Sequence, residues 1–243
     1  MLKTSYFVPH SPLLISRIGK ENTSKLAKTI ASFDTIREQL ESSPPATLII
    51  LSSHGSTKAD VITINLHQKY KLDLSEFGDL TTRQSWRPDV ETINHLTYAT
   101  GKHFTVNLVS DDTLDYGTSI PLHLLTENLP SIKIVPITYG ELPLAEMFRF
   151  GQLLENELSK LNRTFSIIAT GDLSHRLTKE SVSGFSDKAE AFDKNIQKAF
   201  IENSIPKLQA LDTELLSEVG QCGTRALLLT AGAVQNKHVL PKI

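Results

Sequence analysis

From Asn22 to about Glu41, the residues Leu26, Ile30, Phe33, Ile36 and Leu40 recur at spacings of three and four. That period puts them on one buried helical face, and Ser42-Ser-Pro-Pro45 predicts where the helix stops. Residues 47–52 are apolar without alternation, the pattern of a strand covered on both faces, and His54-Gly55 turns the chain out of it. The same reading predicts strands over 5–8, 60–67, 104–109, 132–138 and 166–169. Pro88 is expected to open a helix to Thr100, Pro121 a short helix, and Pro143 a long one to about Leu161, because proline suits a first helical turn. A helix over 187–202 would bury Phe192, Ile196 and Phe200, and a further one carries Leu208, Leu211 and Leu215. After Gly220-Gln-Cys-Gly223 a last helical run extends from Arg225 to Val234. Residues 71–87 read as an irregular excursion containing Phe77-Gly78 and Trp86. Strands alternate with helices nearly throughout, and no repeat or linker divides the chain. The expectation is a single α/β domain over residues 1–243, three α/β/α layers about a mostly parallel or mixed sheet.

Composition narrows the functional classes. With 40% hydrophobic and 21% charged residues among 243, the chain is ordinary globular material. A formal charge of −2 gives no electrostatic reason to expect nucleic acid or an anionic membrane surface as a partner. No segment approaches the ~20 consecutive apolar residues of a membrane span, and the N-terminus lacks a signal-peptide stretch. Cys222 is the single cysteine, which rules out an internal disulfide and makes a reducing cytoplasm the expected compartment.

The chemistry concentrates after strand ends. Ile167-Ile168-Ala169 breaks at Thr170-Gly171 and delivers Asp172, Ser174 and His175. Ligand sites of open α/β sheets lie beyond the carboxyl ends of the strands. His10, after Tyr6-Phe7-Val8-Pro9, and His54, after Leu48 to Ser53, are placed the same way. Two neutral imidazoles could hold a metal but need a third ligand. Cys222 is the candidate, at an apparent helix start where the macrodipole would favour a thiolate; Gln221 and Glu218 are the neighbouring alternatives, and a small buried hydrophobe is the other reading of the cysteine. His175 and Asp172 could form a general base and its orienting carboxylate, or Asp172 could cap a short helix through Ser174 and His175. Asp111, Asp112, Asp115 and Tyr116 make a second polar cluster, mostly turn formers, in which Tyr116 could donate a proton inside a dry cleft. A cysteine hydrolase built on Cys222, His175 and Asp172 is the weakest of these readings. No phosphate loop, dinucleotide fingerprint or nucleophile elbow is present.

Val8-Pro-His-Ser-Pro-Leu-Leu14, Ser52-Ser-His-Gly55, Leu114 to Leu122, Ser166 to Leu177 and Gly220-Gln-Cys-Gly223 occur in that order. Together they resemble the LigB-type class III extradiol dioxygenases and their Memo-like relatives, nearest the bacterial branch encoded beside, or fused to, an AMMECR-type domain and a radical-SAM protein. The resemblance implies a LigB-like fold and a non-haem Fe(II) held by two histidines and a glutamate. It implies a small catechol-like substrate. It places the ligand histidines at His10 and His54 and the catalytic base at His175. The chain departs from the dioxygenase pattern twice. Cys222 stands where the ligand glutamate is expected, as in the Memo-like proteins, and Asp115-Tyr-Gly117 stands where Asp-His-Gly is usual. A thiolate is softer and shifts the expected metal towards copper or zinc. The leading expectation is an Fe(II)-dependent oxidoreductase; the alternative is a Memo-like metal-binding or partner-binding protein without dioxygenase turnover. No AMMECR-type domain is expected before the chain ends at Ile243, and the 187–202 helix and 71–87 excursion are the candidate surfaces for a homodimer.

Overall fold

The 47–52 run forms β2 (Thr47–Ser52), and all of its residues are buried. Ile49 and Leu51 enter one hydrophobic layer while Leu48 and Ile50 enter the other, so the strand needs apolar residues at all four central positions. The computed structural model describes residues 1–55 and 58–235, and in it β2 lies inside an eight-stranded sheet. The other strands are β1 (Leu2–Val8), β3 (Val61–Asn65), β4 (Tyr70–Lys71), β5 (Ser85–Pro88), β6 (Thr105–Val109), β7 (Lys133–Tyr139) and β8 (Phe165–Thr170). The main path runs β1-β8-β2-β7-β3-β6. Its first four strands are mutually parallel. β3 then pairs antiparallel with the end of β7 and parallel with β6, which makes the sheet mixed. β5 lies parallel to the start of β7, and β4 pairs antiparallel with β5.

The helices are α1 (Ser16–Gly19), α2 (Ala27–Ser42), α3 (Val90–Thr100), α4 (Tyr116–Thr126), α5 (Leu144–Ser159), α6 (Ala189–Ile201), α7 (Ile205–Gln209), α8 (Thr213–Val219) and α9 (Thr224–Val234). α2 and α4 cover one face of the sheet through Phe33, Leu40, Ile120 and Leu122. α3, α5, α6 and α9 cover the other through Ile93, Leu154, Phe192 and Leu228. The three-layer α/β/α arrangement is therefore observed. Because β1, β8, β2 and β7 are parallel, their carboxyl ends share one edge of the sheet, where the chain presents His10, Asp172, His54 and Tyr139.

Several boundaries differ from the sequence reading. The helix expected from Asn22 begins at Ala27, preceded by a 3-10 stretch over Lys20–Leu26. Pro88 does not open α3; it ends β5, and Asp89 caps the helix by accepting from Thr92 N. Pro121 lies inside α4, which starts five residues earlier because Asp115 caps it. The stretch carrying Leu208, Leu211 and Leu215 is two helices, since Asp212 caps α8 and breaks it from α7. The 71–87 excursion contains short strands as well as the 3-10 turn Ser75–Phe77.

Asp89 shows how a cap becomes a cross-link. Its carboxylate is 1% exposed. It accepts from Thr47 Oγ1 at 2.5 Å, Thr92 Oγ1 at 2.8 Å and Arg163 Nη1 at 2.9 Å, tying β2, α3 and the approach to β8 together. Burial pushes the carboxyl up, but the hydrogen bonds from Thr47, Thr92 and Arg163 outweigh it and hold the group below the usual carboxylate range. The unfolded chain thus takes up this proton at higher pH than the fold does. The contribution of Asp89 is fully present above the ordinary carboxylate value and is lost as pH falls through the lower folded value. Asp89→Asn keeps the shape and removes the charge-assisted bonds; it is expected to cost about 2 kcal/mol in urea denaturation at neutral pH. The difference from the parent should shrink as the buffer is acidified, and a midpoint unchanged at neutral pH would contradict this account.

Candidate metal centre

His10 leaves the end of β1 after Val8-Pro9 and is 2% exposed. His54 leaves the end of β2, where its N–H donates to Ser52 Oγ at 3.0 Å. The two rings meet edge to face, with Nε2 of one 3.0 Å from Nε2 of the other. Cys222 Sγ lies 3.7 Å from His10 Nε2. These three donor atoms all fall within 4.8 Å of one another, as do donors from Asp172, His175 and Cys222. Cys222 belongs to both groups, so five side chains converge on one small volume. Asp172 Oδ2 is 3.5 Å from His10 Nε2, and His175 Nε2 is 3.7 Å from Cys222 Sγ.

The fold holds the thiol there by backbone contact. Asp172 O accepts from Cys222 N at 3.2 Å and from Gly223 N at 2.8 Å, while Asp172 N donates to Cys222 Sγ at 3.2 Å. This approach requires two glycines. A Cβ on Gly171 would lie 2.3 Å from Gly223 Cα, and one on Gly223 would lie 2.9 Å from Asp172 O. Gly171→Ala must therefore separate two backbone segments, with no flexible side chain to give way. We expect a loss of about 2–3 kcal/mol in chemical denaturation, in the range of overpacked sites, together with loss of any sulfur-to-metal absorption band. Retention of both properties would show that the two segments are not coupled as described.

The other side of the site is built by Asp115. As the cap of α4 it accepts from Thr118 N at 3.0 Å and Thr118 Oγ1 at 2.7 Å, and it also accepts from Ser52 Oγ at 2.8 Å. Ser52 in turn accepts the His54 N–H, so one carboxylate fixes both the end of β2 and the start of α4. Tyr116, the first residue of α4, is thereby laid against His54, its ring centroid 4.5 Å away and its Oη 3.1 Å from Nδ1. A Cβ on Gly117 would fall 2.5 Å from Ser52 Oγ and 2.9 Å from His54 Cδ2, so the next residue has no room for a side chain. Asp115 was legible only as a turn former. The spacing Asp115-Tyr-Gly-Thr118 is itself a helix-start signal, whereas the bond to Ser52, 63 positions away, has no signature in the sequence.

Burial disfavours the charged form of each of these groups. It lowers His10 to about 3, helped by the nearby imidazoles of His54 and His175. Burial also lowers His54, although the Asp172 carboxylate opposes it. It raises Tyr116 to about 12, reinforced by Cys222, Asp172 and Asp115. The thiol of Cys222 is pushed up to about 11 by burial, which outweighs the Asp172 N–H. The expectation of a thiolate favoured by the helix start is thus corrected: α9 begins two residues later, and burial decides. Asp172 and Asp115 are both raised, again by burial first.

The remaining candidates take structural places. Gln221 Oε1 accepts from Thr224 N at 2.8 Å at the head of α9, and Glu218 pairs with Lys188 at 2.7 Å. Asp112 pairs with Lys71, and Asp111 is bonded through its backbone to Asn65. Ser174 pins the loop, its Oγ donating to Val219 O at 3.0 Å. No helix forms over residues 171–188, so Asp172 caps none there.

The donor set fits a metal ion. Atoms bound to one tetrahedral centre at about 2.0–2.3 Å sit about 3.3–3.8 Å apart, near the 3.0 Å and 3.7 Å that separate His10 Nε2 from His54 Nε2 and Cys222 Sγ. The Asp172 carboxyl, 3.5 Å from His10 Nε2, stands where it could balance a cation's charge. His10, His54 and Cys222 can hold the ion, with Asp172 and His175 beside it at the mouth.

The Clostridium acetobutylicum protein CA_C1420 is 26% identical over 242 residues, which cover 96% of this chain and 52% of that protein. The chain thus spans about half the length of that curated relative. Among solved structures, the uncharacterised protein JW3007 from Escherichia coli K12 superposes with a TM-score of 0.60 at 15% identity, over 84% of this chain and 81% of that one, a likeness of fold. The family description "Catalytic LigB subunit of aromatic ring-opening dioxygenase" matches residues 4–242. The chain belongs to this LigB family.

Proposed function

We propose that the protein is a non-haem metal-dependent oxidoreductase acting on a small aromatic, catechol-like substrate. The observation that carries this reading is the meeting of His10 and His54, Nε2 to Nε2 at 3.0 Å, with Cys222 Sγ beside them at the carboxyl ends of four parallel strands. His10, His54 and Cys222 would hold the metal. Bound there, Fe(II) would supply the Lewis acidity and redox chemistry for opening an aromatic ring with dioxygen. His175 is exposed at the mouth and acts as the base that takes a phenolic proton and returns it, with the Asp172 carboxylate near it. Tyr116 keeps its proton and is a donor at the His54 side.

The second reading is a metal-binding or partner-binding protein without ring cleavage, favoured by the soft sulfur of Cys222, which suits copper or zinc better than iron. Links to AMMECR-type and radical-SAM proteins, and a homodimer, are proposals that rest on the sequence resemblance and the candidate surfaces named above. Among the described residues no helix is long and apolar enough to cross a membrane; a reducing cytoplasm, which would keep Cys222 as a thiol, is the proposed compartment.

Two measurements test the first reading. Metal content by mass spectrometry on untagged protein should approach one ion per chain. After anaerobic loading with Fe(II), a panel of catechols should include a substrate that drives oxygen uptake and yields a ring-opened product. Bound copper or zinc with no uptake across the panel would favour the second reading, and rapid ring cleavage would exclude it.

A further inference from the structure

β6 closes one side of the sheet path, and among the described residues its one strand neighbour is β3. Leu66 N donates to Val109 O, so Val109 turns its backbone groups towards β3, and by alternation so do Asn107 and Thr105. The N–H and C=O of Val106 and Leu108 therefore point out of the sheet. Natural proteins blunt such an edge with a charge, a proline or a cover. The opposite edge obeys this rule: Lys3 is the one exposed residue of β1, its Nζ donating to the carbonyls of Ser43 and Pro44. β6 carries neither charge nor proline, and Thr105, Asn107 and Leu108 are exposed, Leu108 by 47%.

The residues flanking the strand say what pairs with it. Lys102 and His103 precede β6, and Asp111 and Asp112 follow it. Lys102 rests over the Tyr98 ring, and Lys102, His103 and Asp111 are exposed. Asp112 is bonded to Lys71 yet remains 42% exposed. We infer that the protein self-associates through β6, rather than through the 187–202 helix or the 71–87 excursion: two copies run antiparallel across a two-fold axis at Asn107 and join their sheets edge to edge. This register sets Lys102 against Asp112 and His103 against Asp111 of the other copy, once on each side of the axis. The outward groups of Val106 meet those of Leu108, as a hydrogen-bonded pair requires, and the exposed Leu108 side chain gains Val106 as its cross-strand neighbour. The two Asn107 amides, each both donor and acceptor, face one another on the axis. An axis at Val106 would set Lys102 against Ser110, and one at Leu108 would set Asp111 against Thr105, so charge selects Asn107. The inference does not depend on the metal site.

Sedimentation velocity of the full chain is expected to show a species of twice 26.9 kDa whose share grows with concentration. Asn107→Cys tests the register, because residues facing on the axis in a non-hydrogen-bonded pair stand at about 4.5 Å between Cα atoms, a spacing a disulfide accepts. Mild oxidation with diamide should link the Asn107→Cys protein into covalent dimers. Thr105→Cys, set opposite Val109, and the parent, with Cys222 alone, should stay unlinked. Leu108→Pro removes an N–H that only the second copy would use, a place where an edge strand tolerates proline, and should weaken association about tenfold or more. His103→Glu sets like charges together at Asp111 and should also weaken it, while adding Asp111→Lys should restore it, a reversal that misfolding could not give. A chain that stays monomeric to about 1 mM would overturn the inference. So would cross-linking that is equal at positions 105 and 107, or association that neither Leu108→Pro nor His103→Glu alters.

Discussion

His10→Ala is expected to lower metal affinity by more than about a hundredfold, beyond the range for loss of an outer partner, and His54→Ala to do the same. The reason is geometric. His10 Nε2 lies close to three of the other donors: 3.0 Å from His54, 3.5 Å from Asp172 and 3.7 Å from Cys222. Removing it leaves one imidazole and one thiol, too few to hold an ion against solvent. Metal content measured after chelator competition should fall from near one ion per chain to background in each variant and in the pair. Full retention of metal in the double variant would place the ion elsewhere, the group of Asp172, His175 and Cys222 being the alternative.

The same substitution carries a pH signature in metal-free protein. The folded state holds His10 neutral down to about pH 3, whereas the unfolded chain protonates it near 6.5. The unfolded state therefore binds more protons between those values, and stability falls as pH drops below 6.5, by up to about 1.4 kcal/mol per pH unit for this one group. His54, also lowered, adds in the same sense. Asp172 and Asp115, both raised, act oppositely at more acid pH, so the cleanest window is just below 6.5. There the His10→Ala protein should show a flatter dependence of its urea midpoint on pH than the parent.

Much of this arrangement was legible from local pattern. β2 was read to the residue because its four central residues, Leu48 to Leu51, form an unbroken apolar run buried on both faces. β1 was read short: it begins at Leu2, and its polar Lys3, Thr4 and Ser5 are tolerated because it pairs on one side only, as an edge strand. His10, His54, Asp172 and Cys222 each follow a strand end or a glycine turn, and position alone singled them out. What the sequence could not display was mutual placement. Asp89 and Asp115 carried helix-cap spacing to Thr92 and Thr118, yet their long-range bonds to Arg163 and Ser52 depend on the sheet order. The ionisation of Cys222 was misread for the same reason, since a nearby helix start is visible in the chain and burial is not.

His175→Gln is expected to lower turnover about 10²–10⁴-fold, the usual contribution of a general acid–base group, while leaving metal content near the parent's. His175 is exposed and its ring approaches the centre from the open side. Its position is set mainly by backbone. His175 N donates to Val219 O and Gly220 O, and Arg176 Nη1 donates to Glu218 O at 2.9 Å, fastening the loop to the end of α8. Glutamine keeps a polar side chain of similar reach on that anchored loop but cannot accept and return a proton. The loss should therefore fall on kcat, with KM for the substrate found in the catechol panel little changed. Turnover within a few-fold of the parent would remove His175 from the proton path. Loss of metal along with turnover would mean instead that His175 is a ligand, and that the grouping with Asp172 and Cys222, rather than the one with His10 and His54, is where the ion sits.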